Sequence, residues 1–284
     1  MPDLEYAVSE GLEYAASEGL EYAVSEGLEY AVSEGIATIR LNRPDKRNAF
    51  TLEMVDAWAD RLIDAQHDPD VRVIVVTGAP GAFCAGIDLS WIEDTGQRPL
   101  DHKLTLSEHI HRVPLALETV DKPVLAAVNG VAVGAGLDMA LMCDMRLASA
   151  DATFAMSYVK VGLIPGDGGC WLLPRLIGLP RALELLLTGD TVSAARADQL
   201  GMINSVHAPE DLMTATYALA RRLADGPPQL IRMIKRTAIQ SQRLDFRTSL
   251  ELVSSHMGVI RSTEDSAEAY RAFREKRPAR YQGR

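Results

Sequence analysis

The feature that most constrains this chain is a pair of small-residue turns, each placed directly after an apolar run. One turn, 83–88, reads Phe-Cys-Ala-Gly-Ile-Asp and follows the run 71–77. The other, 129–136, reads Asn-Gly-Val-Ala-Val-Gly-Ala-Gly and follows the run 123–128. The runs predict buried strands, and small residues at a strand end let other groups approach the backbone closely. Two such turns can direct two N–H groups at one oxygen, which indicates an oxyanion hole and an enzyme acting on a carbonyl.

Strand-like and helix-like segments alternate over most of the chain, which predicts an α/β fold with helices covering the sheet faces. Besides the two runs above, short strands are predicted at 145–148 and 153–155. Helical spacing predicts helices over 52–65, 104–120, 137–143, 174–187 and 193–200. After about Glu210 only helical patterns follow, over 210–224, 227–255 and 264–275. The predicted organisation is an α/β core, 28–208, followed by a helical C-terminal region, 209–284.

Four copies of an eight-residue unit, Leu-Glu-Tyr-Ala-Val-Ser-Glu-Gly, open the chain, with one Val-to-Ala change at Ala16. Only the fourth copy, 28–35, runs into a natural hairpin partner, 36–41, through a Ser-Glu-Gly turn. Residues 1–27 are therefore predicted to be a repeated extension, interpreted as a tandem expansion or an artefact. An adhesive or assembly arm is the functional alternative. Because the copies are alike, each could pair as a strand in the same place.

Composition limits the kinds of molecule that this protein is expected to bind. The formal net charge of −10 disfavours binding to nucleic acid through general electrostatics. Cys84, Cys143 and Cys170 lie far apart, which predicts buried free thiols in a reducing compartment and no metal site. No apolar run is long enough to cross a bilayer, and no secretory signal is recognised at the N-terminus. A cytoplasmic protein without a nucleic-acid or membrane partner is expected.

Several short motifs, each weakly specific alone, occur in a defined order. They are 41–49 (Leu-Asn-Arg-Pro-Asp-Lys-Arg-Asn-Ala), 85–88 (Ala-Gly-Ile-Asp), 122–123 (Lys-Pro), 129–130 (Asn-Gly), 134–136 (Gly-Ala-Gly), 143–144 (Cys-Asp), 162–165 with 168–169, 187–189 and 201–203. Together they resemble the crotonase (enoyl-CoA hydratase/isomerase) superfamily over residues 28–278. The resemblance implies a spiral of ββα repeats with a helical C-terminal trimerisation region. It also implies a homotrimer or a dimer of trimers.

The resemblance further implies an acyl-CoA thioester as substrate, with coenzyme A as part of that substrate and no separate cofactor or metal. It assigns the oxyanion donors to the backbone N–H groups of Ala85 and Ala135, which would stabilise an enolate oxygen. Coenzyme A contacts are implied for Lys46, Arg47, Ala49, Ala85, Gly86, Ile87, Asp88 and, near the C-terminus, Lys276. Cations suit the phosphates of coenzyme A, although Lys46 and Arg47 could also be ordinary surface charges.

The acidic residues depart from the hydratase pattern. Where hydratases of this superfamily carry two glutamates around one water, this chain has Asp138 and Tyr158. Tyrosine is a weak proton donor at neutral pH, because its ordinary pKa is about 10. A further acid, Asp167, lies one residue after the position of the isomerases' catalytic acid, which is Gly166 here. Dienoyl-CoA isomerases carry an aspartate at the Asp138 position, but helix-terminal roles remain open for both aspartates.

The segment 91–111 corresponds to the superfamily's variable acyl-pocket region. It contains Trp91, Glu93, Asp94, His102, His109 and His111. Two residues apart, His109 and His111 are expected on different sides of a helix, which disfavours a metal site. One histidine could enter the pocket as an acid or a base.

The leading functional prediction is an acyl-CoA enzyme of the enoyl-CoA hydratase/isomerase type that stabilises a thioester enolate. Within this class, double-bond isomerisation through one aspartate fits the surviving acids, a modified hydration stays open, and thioester hydrolysis or decarboxylation are weaker alternatives. A catalytically impaired acyl-CoA-binding protein is the alternative from another class. The acyl group itself is not predicted, because its pocket comes from the most variable segment.

Overall fold

The structure of the protein, a computed structural model, describes residues 27–88, 90 and 98–284, and the backbone of three short strands nearer the N-terminus. The strands are β1 (Glu5–Ser9), β2 (Leu12–Ala16), β3 (Ala23–Ser25), β4 (Leu28–Ser33), β5 (Ile36–Leu41), β6 (Val73–Gly78), β7 (Ala82–Cys84), β8 (Val124–Val128), β9 (Val131–Val133), β10 (Met145–Ser149), β11 (Thr153–Ala155), β12 (Thr191–Ser193) and β13 (Ser205–His207). The helices are α1 (Leu52–His67), α2 (Pro99–Leu104), α3 (Arg112–Thr119), α4 (Ala135–Met142), α5 (Gly169–Ile177), α6 (Leu179–Thr188), α7 (Ala194–Leu200), α8 (Leu212–Ala224), α9 (Pro228–Ser241), α10 (Phe246–Arg261) and α11 (Glu264–Glu275).

All strands except β1 and β2, which pair with each other, belong to two sheets in which most neighbouring strands are parallel. A seven-stranded sheet has the order β13-β10-β8-β6-β5-β4-β3, and a four-stranded sheet has the order β12-β11-β9-β7. Strands β6 and β8 lie inside the larger sheet, and every residue in them is buried. Burial on both faces explains why these strands read as unbroken apolar runs. The expected α/β fold is thus confirmed.

The predicted hairpin of the fourth repeat is also confirmed. Strands β4 and β5 pair antiparallel, with Ser33 opposite Ile36. Between them, Glu34 and Gly35 both have positive φ, 49° and 80°, as a two-residue type I′ turn requires. The third copy supplies β3, which pairs antiparallel with β4, and the first two copies pair with each other as β1 and β2. The origin and role of residues 1–27 stay a prediction.

Three predicted helices are divided in the structure. The pattern over 104–120 becomes the end of α2, a π-helix (Thr105–Ile110) and α3. Gly178, with φ 81°, separates α5 from α6, so the predicted helix 174–187 is two helices. Asp245 accepts bonds from the Arg247 and Thr248 amides and begins α10, which divides 227–255. The spacing of apolar residues predicted that these segments were helical. It did not show where one helix ends and a second helix begins in a new direction.

The cysteine prediction is correct for two residues and wrong for the third. Cys84 and Cys143 are buried free thiols, but Cys170 is exposed in the first turn of α5. The wide spacing of the cysteines carried no information on burial at this position, where the helix α5 presents Cys170 outward. Among the described residues no cluster of His, Cys, Asp and Glu could hold a metal ion. The part of the chain described here contains no helix long and apolar enough to span a membrane.

Candidate active site

The two small-residue turns lie against each other. Strand β7 begins the first turn segment and strand β9 lies within the second. Because the two strands pair in parallel, the residues that follow them lie at the same sheet edge. At Gly136 a Cβ atom would collide with the Cys84 carbonyl. Gly86 has φ 94°, and a Cβ there would lie 3.5 Å from the Ala135 nitrogen. Both positions thus depend on glycine for this close approach.

The Ala135 amide belongs to the first turn of helix α4, which Gly134 precedes with φ 54°. The amides of a first helical turn have no acceptor within the helix, and they carry the positive end of its dipole. This end of α4 therefore favours negative charge. The ring of Tyr158 lies beside it, because a Cβ at Gly134 would be 3.8 Å from the tyrosine Cε2 atom.

The other predicted donor, the Ala85 amide, differs from expectation because it already donates to the Arg47 carbonyl, at 3.0 Å. Arg47 has the left-handed φ of 51°, which turns its carbonyl toward the β7 turn. No pattern in the sequence predicted this contact. In this structure the Arg47 carbonyl, and not a free position for a ligand oxygen, accepts the Ala85 amide.

Three predicted site residues from three elements meet at one point. The Tyr158 hydroxyl lies 2.6 Å from Asp138 Oδ2 and 3.0 Å from Asp167 Oδ2. Asp138 is on the first turn of α4, Tyr158 is in the 3-10 helix Ser157–Val161, and Asp167 precedes α5. Both aspartates are buried, with exposed fractions of 0% and 3%. The structure thus brings together Asp138, Tyr158 and Asp167, which the sequence indicated only as separate candidates.

The start of α5 explains how Asp167 reaches this cluster. Gly168, with φ 110°, occupies the N-cap position, and no side chain caps the helix. Asp167 therefore does not cap α5, which was its alternative role. A side chain at Gly169 would collide with Asp138 Oδ1, so glycine lets α5 approach the carboxyl.

Burial dominates the electrostatics of the cluster. It raises the pKa of Asp138 to about 8, against the opposing hydrogen bond from Tyr158 and with a further rise from the charge of Asp167. Burial likewise raises the pKa of Asp167 to about 6, although the Tyr158 hydrogen bond and His111 lower it in part. For Tyr158, burial and the two carboxyls raise the pKa well above its ordinary value. Burial therefore favours the protonated form of both carboxyls, and it does so more strongly for Asp138 than for Asp167.

Counting protons supports one proton held between the two carboxyls. The phenol has one proton to donate but contacts two carboxyl oxygens. If both carboxyls were ionised, one of them would face a phenol lone pair. A proton on one carboxyl completes the chain of bonds. The Oδ1 atoms of both aspartates have no hydrogen-bond partner among the described residues, although the Asp167 and Gly169 amides approach Asp138 closely enough to lower its pKa in part.

The histidines of the 91–111 region separate as expected. The Nε2 atom of His111 lies 2.8 Å from the Gly166 carbonyl, beside the acid cluster. His109 instead lies 3.6 Å from Asp56 Oδ2, on α1. His102 is exposed on α2. Trp91, Glu93 and Asp94 lie outside the described residues.

The predicted coenzyme A loop is held by two residues that sequence reasoning missed. Asn48 is fully buried and donates its amide to the carbonyls of Ala79 and Ala82. Arg43 binds the Asp88 carboxylate at 2.9 Å and also donates to the Ala49 carbonyl. Both residues stand in the 41–49 motif, but their roles depend on long-range contacts that the motif does not encode.

The remaining predicted contacts surround this loop. Lys46 and Arg47 are exposed and form no ion pair within the described ranges. Hydrogen bonds from Ser90 and Arg43 lower the pKa of Asp88. This side chain therefore carries a negative charge beside Gly86 and Ile87. Lys276 is exposed at the end of α11, and no described contact joins it to this loop.

Comparison with known proteins identifies the class of fold and then the family. Solved structures of enoyl-CoA hydratases share the fold: the enzyme of Bacillus anthracis superposes with a TM-score of 0.85 at 30% identity, covering 91% of this chain and 100% of the other. The architecture is therefore the crotonase fold. The family model for enoyl-CoA hydratase/isomerase matches residues 31–284. The chain belongs to this family, which confirms the resemblance.

Curated relatives include both kinds of enzyme. The chain is 36% identical to the 1,2-epoxyphenylacetyl-CoA isomerase of Escherichia coli over 251 residues, which is 88% of this chain and 95% of the relative. It is 31% identical to the crotonyl-CoA hydratase of Syntrophomonas wolfei over 247 residues, which is 87% of this chain and 94% of the relative. The family thus defines acyl-CoA chemistry without choosing between isomerisation and hydration.

Proposed function

We propose that this protein is an acyl-CoA double-bond isomerase that moves a proton between two carbons of an enoyl- or dienoyl-CoA thioester through an enolate. The observation that carries the proposal is the Tyr158 hydroxyl placed between two buried carboxyls, at 2.6 and 3.0 Å. This arrangement holds a proton on one carboxyl and leaves the other carboxyl ionised, so that it can accept a proton. Isomerisation needs both, because one carbon loses a proton while another gains one.

The order of the two pKa values supports an assignment of base and acid. Asp167, with a pKa of about 6, is the base that accepts a proton from substrate carbon. Asp138, with a pKa of about 8, is the acid that returns one. Hydration by two glutamates requires a water between carboxylates at the positions of Asp138 and Tyr158, and here the second of these positions carries a phenol. The name of the E. coli isomerase relative supports the same class of reaction.

The thioester oxygen would bind at the N-terminal end of α4. The Ala135 amide faces Gly86 there, and the helix dipole favours the enolate charge. The Ala85 amide completes the pair once the Arg47 carbonyl releases it. Because Arg47 belongs to the proposed coenzyme A loop, substrate binding at this loop would free the second donor. Loss of one such donor typically lowers the rate about 10²–10³-fold.

The coenzyme A portion would lie along the loop 43–49 and the turn 85–88. Lys46 and Arg47 supply exposed cations for phosphates, and Ala49, Gly86, Ile87 and Asp88 would form the adenine wall. Lys276 would contact coenzyme A from the same or a neighbouring subunit of a homotrimer. The acyl chain would enter beneath the segment 98–111, whose Leu106 packs on Gly166. Coenzyme A is part of the substrate, and the proposal invokes no separate cofactor.

The test is incubation with crotonyl-CoA, a 3-enoyl-CoA and a 3,5-dienoyl-CoA, with products identified by mass and absorbance. We expect a double-bond shift in the 3-enoyl or dienoyl substrate, and little water addition to crotonyl-CoA. Asp138→Asn and Asp167→Asn should each lower the isomerisation rate about 10²–10⁴-fold, because each removes an acid or base. Asp190→Asn makes the same chemical change at an exposed carboxyl and should leave the rate unchanged.

Two outcomes would contradict the proposal. Rapid hydration of crotonyl-CoA that survives both aspartate substitutions would show that neither carboxyl carries the chemistry. Tight binding of every thioester without turnover would instead favour the catalytically impaired binding protein.

A further inference from the structure

We propose that Tyr158 is a proton relay that returns Asp138 and Asp167 to their starting states after each turnover without exchange with bulk water. The proposal deepens the isomerase function above and rests on it. The hydroxyl is within hydrogen-bond distance of both carboxyls, and no other described side chain bridges them. This position gives Tyr158 a task that a packing residue would not have.

The need for a relay follows from the balance of the reaction. The Asp167 carboxylate takes a proton from one substrate carbon, and the C–H electron pair enters the enolate. The enolate pair then forms a new C–H bond at the other carbon with the proton of Asp138, and the thioester carbonyl re-forms. One turnover therefore leaves Asp167 protonated and Asp138 ionised, which is the reverse of the starting state.

The geometry supplies a direct reset. Tyr158 donates its O–H proton to Asp138 while it accepts the proton of Asp167, so each oxygen forms one O–H bond and breaks another. No net charge moves. Since burial and both carboxyls oppose ionisation of the phenol, the two transfers occur together rather than through a phenolate. Bulk water is a poor alternative route, because 0% and 3% of the two aspartates is exposed.

The groups that face Asp167 are few. Asp138 and Tyr158 complete the proton chain, and His111, which bonds to the Gly166 carbonyl, is close enough to lower the pKa of Asp167 in part. The Cys84 thiol, whose pKa burial raises to about 12, stays protonated. Among the described residues, Tyr158 is therefore the only group that can pass a proton directly between the two carboxyls.

The test compares the first turnover with later ones by rapid mixing with a 3-enoyl-CoA. In wild type we expect linear product formation, because reset is fast. Tyr158→Phe should give a burst of about one product per site and then a steady rate about tenfold or more below wild type. Tyr30→Phe, at another buried phenol in the core, is the matched control and should remain linear. Equal slowing of first and later turnovers by Tyr158→Phe, or no slowing, would overturn the relay.

A second measurement needs no variant. In D₂O with excess substrate, the first two products of wild type take up the deuterons of Asp138 and Tyr158. The relay then passes on protium that Asp167 took from earlier substrates, so product should contain protium from the third turnover onward. Complete deuteration of all later product would overturn the proposal. These outcomes are separate from failure of the function itself, which would appear as a wild-type protein that isomerises no enoyl- or dienoyl-CoA.

Discussion

The two ends of helix α4 each meet a buried polar side chain, and the surroundings of these side chains differ. At the C-terminal end, Arg146 donates to the carbonyls of Cys143, Leu141 and Met202, at 2.6, 3.2 and 2.8 Å. At the N-terminal end, Asp138 has one partnered oxygen and one without a partner among the described residues. The arginine donates to four carbonyls in all, whereas one oxygen of the aspartate has no partner among the described residues.

The difference separates a structural role from a chemical one. Cations stabilise a helix C-terminus by satisfying its free carbonyls, and Arg146 does this for α4. Lys122 does the same for α1, donating to the carbonyls of Ala65 and Asp68. A buried acid with an unpaired oxygen does not stabilise a helix end in this way. Groups with a perturbed pKa are concentrated at functional sites. In the proposed function, Asp138 and Asp167 have the chemical role.

The largest expected effect on stability comes from removing Arg146. In Arg146→Met the carbonyls at the end of α4 lose their donor, and each buried unsatisfied group costs about 1–3 kcal/mol. We expect the free energy of unfolding, measured by urea denaturation, to fall by about 3 kcal/mol or more. Asp138→Asn should change it far less at neutral pH. A loss with Asp138→Asn as large as that with Arg146→Met would remove the distinction between the two ends.

Per pH unit, a smaller effect is expected in the pH dependence of stability. Unfolded Asp138 titrates near its ordinary pKa of about 3.9, and folded Asp138 at about 8. Between these values the folded state binds the extra proton, so this group's stabilisation is greatest at low pH. It is lost as pH rises toward 8, by at most about 1.4 kcal/mol per pH unit. Asp167 acts in the same sense up to about pH 6.

Urea denaturation between pH 5 and 8 measures this effect. Stability of wild type should fall relative to Asp138→Asn as pH rises, and Asp190→Asn should follow wild type. Parallel curves for wild type and Asp138→Asn would mean that Asp138 titrates normally.

Local sequence pattern predicted the parts of the site that depend on one strand or one turn. Apolar runs ending in glycine located both turns, and parallel pairing of their strands brought the turns together. The occupied Ala85 amide was not predictable, because it depends on the left-handed backbone of Arg47 in a distant loop. The bridging position of Tyr158 likewise arises from three separate elements. The tyrosine at the position of a glutamate, which suggested lost chemistry, lies within hydrogen-bond distance of two buried carboxyls.

Infrared spectroscopy tests the central claim most directly, since a carboxylic acid and a carboxylate absorb at different frequencies. At neutral pH we expect wild type to show a carboxylic-acid band from Asp138. The band should disappear in Asp138→Asn, remain in Asp190→Asn, and titrate in wild type near pH 8. A wild-type spectrum with only ionised carboxylates at neutral pH would contradict a site that stores a proton between Asp138, Tyr158 and Asp167.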